Sequence, residues 1–564
     1  MVMLVVLHED KIGQTYLLPL NLNDLIPDDH ICNFVKNLVD CHDFTDINKK
    51  FIGNAGGKAY SRRMLLRLLI LATIEGYKSS RNIEKQSRLN TPYMWICGGD
   101  IPTYRTLINF KNEHKELLEE MLAIVILAAK EERLVNLGVI ALDGTSMKAN
   151  ASNKNTVTEE VLELAKKLIN DSIIEDEEEN KKYGEDEVGD EVSPKLPLKK
   201  KIKELVKLTQ EKAEEEKKEI EDINTKDLNM NFKFTKKEIK QIDRAHEEID
   251  IIKKQRNRSN NTDLKNKPIF ISLTDPSSRF MKNKKGKKEL SYNIQNFVDC
   301  DSGIILQSFL TQDPTDHYQL IPQIEKLRQN PNFNIENSKI LLDTGYNTQK
   351  GIKYLYKNEL DGYVPNRKQA RENKNKKFKK YAKANFHYNY KKDQYRCPKG
   401  HILPYKKKYT ENNKIKKVYY TNKCKNCPMK EECTPKSNYR IITHYTNYYQ
   451  DLMAQKMEKE ENKEIYKKRS NAERPFAYLK STIGWNTMFC KDKPRNQIDI
   501  DLTTIAYNIK IIHNHKKKQN EQKSKENTHQ RKTKKPLKTQ ISKNTMKKTR
   551  MCIKNIHRKN KIKK

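Results

Sequence analysis

Long apolar runs are what this 564-residue sequence lacks first. Its best stretches, residues 64–74 (interrupted by Arg67) and 121–129, fall short of the ~20 residues that a helix needs to span a bilayer. No membrane association is expected. The opening MVMLVVL is short and has no basic flank, so a secretory signal is not expected and the chain should stay in the reducing cytoplasm. Ten cysteines are too sparse for a disulfide scaffold. With 35% hydrophobic and 8% aromatic residues there is little for one large core, unless charge is concentrated in surface inserts and tails. At roughly 150 residues per domain the length suggests three or four units.

Charge is abundant. Lys and Arg number 112 against 74 Asp and Glu, a formal surplus of 38. Such a surplus suits a polyanion, since each cation placed on a phosphate releases a condensed counterion. AT-rich coding, which fills a protein with Lys, Asn and Ile, offers a blander origin, so clustering matters. Residues 516–564 hold 20 Lys or Arg and only Glu521 and Glu526 as acids; with almost no apolar periodicity, they read as a basic disordered tail. Residues 171–191 hold eleven acids against Lys181 and Lys182 and read as a solvated acidic loop.

Three territories lie between. Residues 1–130 read as a helical domain, from the spacing of RRMLLRLLILATIEGY and the start signals before TYRTLINFKNEH. Arg81, Lys85, Arg88, Arg105 and Lys111 on its last helices are candidates for a helix-turn-helix-like DNA contact. Residues 155–262 are helical and highly charged, too irregular for a coiled coil, and read as a solvated insertion. The remainder of 131–515 has strand character. VIALDG at 139–144 and KILLDTG at 339–345 resemble buried strands, 290–312 two strands joined at Asp301-Ser302-Gly303, and 361–365 a further strand. With a helix over 317–328, the expected fold class is α/β with a mixed sheet.

Asp143 and Asp343 each follow an apolar strand and reach the same sheet edge if those strands are neighbours. Two carboxylates at one edge repel unless one is protonated or a divalent cation neutralises them, and hard oxygen donors suit Mg²⁺ or Mn²⁺. Each Asp could equally cap its own turn. In EIYKKRSNAERPFAYLKSTIGW, Tyr466, Arg469, Glu473 and Lys480 stand three, four and seven residues apart. At about 100° per residue they share an arc of roughly 60°, so one helix face presents an acid, two cations and a phenol. Pro475 should kink that helix.

This order of Tyr466, Arg469, Glu473 and Lys480 resembles the YREK signature of bacterial DDE-type insertion-sequence transposases. Further blocks in the same order are similar to that group: residues 18–35, 57–84 and 101–114 to its helical N-terminal domain, ALDGTSMKANAS to its first catalytic block, SLTDPSSRFM and Asp316-His317 to its middle region, and LLDTGYN to its second. The resemblance implies a ribonuclease-H-like core in 131–515 with Asp143, Asp343 and Glu473 as catalytic, metal-binding acids. It implies that Tyr466, Arg469 and Lys480 hold DNA phosphates, while His317 could lie near the metal. Trp485 and Phe489 are expected to pack the catalytic helix.

A second site falls in an insertion at 366–448. Cys397, Cys424, Cys427 and Cys433 number and space suitably for structural Zn²⁺, with His401 able to replace one thiol. Similar cysteines occur in related transposases. The expected function is therefore a transposase of a prokaryotic cell's cytoplasm that acts, as a homodimer, on double-stranded DNA at terminal inverted repeats and target. A catalytically silent, transposase-derived DNA-binding protein and a nuclease that hydrolyses without joining are the alternatives.

Overall fold

A computed structural model describes residues 21–49, 59–170, 196–217, 228, 234–258, 265–283, 285–330, 332–373, 380–389, 392–411, 414–445 and 447–531. The opening heptapeptide, the acidic block and the end of the basic tail lie outside them. The described residues fall into two compact units, one drawn from residues up to Arg133 and from Ile498 onward, the other from Leu134 to Gln497.

The first unit is helical. Arg62–Ile74 carries buried Met64, Leu65, Leu66, Leu68, Leu69, Ile70 and Leu71, so it is apolar almost all round and takes a central place. Ser61 caps it, accepting from the Met64 N–H at 3.4 Å. Thr103 caps Tyr104–Glu113 in the same way. Arg81, Lys85, Arg88 and Arg105 are exposed. Lys111 instead donates to Asp499 Oδ1 at 2.5 Å.

The final helix, Lys493–Arg531, corrects the expectation of disorder from Lys516. Lys516 pairs with Glu132 at 2.7 Å and Lys517 with Asp29 at 2.8 Å, and the Lys, Gln and Glu that follow are strong helix formers. From Ile498 this helix groups with the N-terminal helices. Residues 532–564 lie outside the described part.

The second unit is built on a six-stranded sheet. Its strands are β1 (Val139–Lys148), β4 (Arg279–Lys282), β5 (Lys288–Asp299), β6 (Ile305–Thr311), β7 (Lys339–Leu342) and β8 (Asp361–Tyr363); β2 (Thr156–Thr158) and β3 (Phe270–Ser272) pair separately. β1 is central. It runs antiparallel to β5, with Asp143 opposite Asn296, and parallel to β7, with Leu142 opposite Leu342. β8 continues parallel beyond β7, and β5 turns back into β6. That turn is tied by Asp299, whose Oδ1 accepts from the N–H groups of Asp301 and Ser302, while Gly303 takes φ +80°.

The charged insertion is less solvated than its composition suggests. Its helices at 159–170, 198–216 and 236–257, with β2 and β3, enclose a core of its own, including Leu162, Leu168, Ile202, Leu205, Ile242 and Ile249. Thr235 and Glu238 form a reciprocal cap, and Glu238 also receives buried Lys201 at 2.9 Å. The cysteine-bearing insertion forms a second sheet, ordered β13-β12-β11-β10-β9, from β9 (His387–Asn389), β10 (Gln394–Arg396), β11 (Ile402–Glu411), β12 (Lys414–Tyr419) and β13 (Ile442–Tyr445). Phe386, Tyr395, Leu403, Tyr419 and Ile442 make its small core. Among the described residues no helix is long and apolar enough to cross a membrane.

Candidate active site

Asp143 and Asp343 stand at the carboxyl edge of two hydrogen-bonded parallel strands. Asp143 lies within β1, one residue beyond the last β1–β7 pair, and Asp343 directly follows β7. Asp343 also caps the next turn, accepting from the Thr344 N–H at 2.7 Å. Capping and convergence therefore coexist in one residue.

The guanidinium of Arg469 joins the acids. Its Nη2 is 2.9 Å from Asp143 Oδ1 and 3.5 Å from Asp343 Oδ2, and its Nη1 is 3.9 Å from Glu473 Oε1. Burial pushes the Asp143 carboxyl up to about 6; Arg469 opposes that rise, and Asp343 and Glu473 add to it. For Arg469 burial acts downward, but Asp143, Tyr466, Asp343 and Glu473 outweigh it and the net shift is upward. The acids grade from buried Asp143 through half-exposed Asp343 to exposed Glu473.

The sequence reading expected one kinked helix to carry Tyr466, Arg469, Glu473 and Lys480. The backbone is instead an α-helix over Glu460–Lys467, a 3₁₀ segment over Lys468–Glu473, one α-turn over Arg474–Ala477 and a π-turn over Tyr478–Thr482. Pro475 sits at the start of that α-turn, where its missing N–H costs nothing. Three of the four side chains bond to β1, β7 or the residues at their ends. Tyr466 Oη, on a partly buried side chain, donates to the Leu342 carbonyl at 3.1 Å, Arg469 reaches the acids, and Lys480 Nζ donates to Thr145 Oγ1 at 2.7 Å and the Ser146 carbonyl at 3.2 Å. Trp485 is buried and stacks on Phe489, with ring centroids 5.3 Å apart.

A fourth carboxylate, Asp316, escaped the residue-level reading. Its Oδ1 accepts from Asn293 Nδ2 at 2.9 Å and Gln295 Nε2 at 2.6 Å, and Tyr346 Oη donates to Gln295 Oε1. Gly144 leaves room for it: a Cβ there would lie 2.5 Å from Asp316 Oδ1 and 2.3 Å from Gln295 Nε2. The available signal was polar Ser291, Asn293 and Gln295 alternating with apolar Leu290, Tyr292 and Ile294 along β5. His317 is exposed.

The four expected cysteines line one small cavity of about 20 Å³ together with His401, Leu403 and Phe386. Tight turns set two of its corners: the Gly400 N–H donates to the Cys397 carbonyl at 2.8 Å with Gly400 at φ +89°, and the Lys430 N–H donates to the Cys427 carbonyl at 3.0 Å. Burial pushes the Cys433 thiol up, Arg440 opposes, and Cys424, Cys397 and Cys427 add to the rise. Among the described residues, no group of three or more His, Cys, Asp or Glu is arranged to hold a metal ion as it stands.

A family model described as a transposase DDE domain matches residues 396–513, and one described as a transposase domain (DUF772) matches residues 20–113. The first spans the four cysteines and Tyr466 to Lys480, but neither Asp143 nor Asp343. No curated protein and no solved structure matches the chain. The two matches support a DDE transposase of an insertion sequence.

Proposed function

We propose that this transposase, of the branch carrying the YREK signature, binds the ends of its own element, cuts the phosphodiester there and joins the freed 3′-hydroxyl to target DNA. The observation that carries the proposal is the meeting of Asp143, Asp343 and Glu473 on one guanidinium at the carboxyl edge of β1 and β7. A central strand with an antiparallel hairpin on one side and two parallel strands on the other supports a ribonuclease-H-like core.

The donor set fits Mg²⁺ or Mn²⁺. Three carboxylates are hard oxygen ligands, and their gathering around one guanidinium brings together negative charge that a divalent cation would neutralise. Bound there, such ions supply an activated water or 3′-hydroxyl and counter-charge on the leaving oxygen. The chain itself does the positioning. Asp343 is fixed by the Thr344 N–H, Tyr466 ties the end of β7, and Arg469 and Lys480 flank the acids as clamps for phosphate oxygens. Cys397, Cys424, Cys427 and Cys433 are soft ligands in the right number for structural Zn²⁺ in a segment whose core is small. We place the chain in the cytoplasm of a prokaryotic cell, acting as a homodimer on double-stranded DNA.

With Mg²⁺, the purified protein should nick a duplex carrying an element end. Asp343→Ala and Glu473→Ala should each abolish nicking while retaining a gel shift of that duplex. Undiminished nicking in both variants overturns the assignment of the acids.

A further inference from the structure

We infer that the charged insertion forms a second nucleic-acid contact, a cleft that holds the phosphate backbone of the duplex continuing past the reacting phosphate. The inference rests on the proposed action on DNA and assigns a role to the insertion.

The cleft, about 500 Å³, lies between the helix Lys236–Asn257 and the segment that follows the catalytic turns. Six of its ten lining residues are cations, Lys236, Lys237, Lys240, Arg244, Lys491 and Arg495, and all six are exposed. The one acid in the lining, Asp492, pairs with Arg244 at 3.4 Å. Lys236, Lys240 and Arg244 recur every four residues, so they form one stripe of the helix, while Ile242, Ala245, Ile249 and Ile252 are buried in the insertion's core. Asp492 anchors the opposite wall, its N–H donating to buried Asp275 at 3.2 Å.

The position of the cleft links it to the acids. From Asp143, β1 runs five residues to Lys148, about 17 Å at strand spacing. Lys480 bonds part-way along, at Thr145 and Ser146. Lys148 then bridges to Thr487, its carbonyl accepting from the Met488 N–H at 2.8 Å, and Lys491, Asp492 and Arg495 follow. A track of cations therefore leads from Arg469 through Lys480 to the cleft. Small-molecule sites are mostly apolar with a few placed polar groups. Charge without aromatic walls suits backbone phosphates, which position a duplex without reading its sequence.

The test compares two triple variants of the full chain of equal charge. Lys236→Gln/Lys240→Gln/Lys491→Gln alters the cleft, and Lys200→Gln/Lys203→Gln/Lys207→Gln alters a helix of the insertion whose lysines do not line it. Thermal melts establish that both fold. Affinity for duplex DNA is then measured from roughly 0.05 to 0.2 M salt. The cleft variant should flatten the slope of log affinity on log salt by about 3, and the control by less than 1. Equal slopes in the two variants, or a cleft variant matching wild type, overturn the inference. Nicking by wild type is scored separately. If wild type nicks and the cleft variant binds normally, the cleft alone fails; if binding depends on the cleft but wild type never nicks, the transposase reading fails.

Discussion

Buried Asp275 shows how a single residue can contribute to the pH response of this fold. It accepts from Tyr292 Oη at 2.6 Å and from the Asp492 N–H at 3.2 Å, while its Oδ2 has no hydrogen-bond partner among the described residues. Burial pushes its carboxyl up to about 6; Tyr292 and the Asp492 N–H act against this, and Asp492 and Glu248 add to it. With a folded value above the unfolded one, its favourable contribution is complete below about pH 4 and is lost as pH rises through about 6. Two pH units correspond to up to about 3 kcal/mol. Asp275→Asn keeps the acceptor oxygen, so it should raise the stability measured by denaturant at pH 7 and reduce the dependence between pH 4 and 6, leaving the share of Asp143, whose carboxyl is also raised to about 6. An unchanged stability profile contradicts this account of Asp275. The meeting of Asp143, Asp343 and Glu473 was legible in the sequence because each terminates an apolar run or belongs to a spaced motif. Asp316 was not, because its site exists only where β1, β5 and the turn after β7 meet, and the small size of Gly144 gives no sign of what it admits.

Among the elements, the strands that lead to Asp143 and Asp343 were read closely, while those of the cysteine-bearing sheet were not read at all. The hairpin at Asp301-Ser302-Gly303 follows from local turn chemistry, whereas buried runs marked β1 and β7 as strands without deciding that they are neighbours. The Tyr466 to Lys480 segment was read as one helix because periodicity carries no information on whether a turn is α, 3₁₀ or π; docking against the ends of β1 and β7 sets that. The insertion's core was missed because its apolar residues come from helices and strands far apart in sequence, each highly charged on its other faces. The cysteine-bearing sheet has its own prediction. Metal analysis of the purified chain should find one zinc per molecule, lost in Cys424→Ser/Cys427→Ser. Wild-type protein free of zinc when purified under reducing conditions contradicts the assignment.

For the whole molecule, the surplus of 38 positive charges resolves into parts. Some cations are tied within the fold: Lys516 and Lys517 hold the last helix, and Lys111 serves Asp499. Others line the cleft of the insertion or stand beside the acids, and most of the tail's surplus, 14 Lys or Arg with no acid, lies in residues 532–564. Net charge pointed to a polyanion but could not separate these roles, because only the fold decides which cations find an acid. The central claim, that Asp143, Asp343 and Glu473 form one centre for DNA cutting and joining, is tested most directly by strand transfer. Labelled duplex carrying an element end is incubated with target plasmid, Mg²⁺ and the purified chain. Wild type should give label covalently joined to the plasmid, and Asp343→Ala should give none despite binding the duplex; joined product at wild-type level from Asp343→Ala would contradict the account.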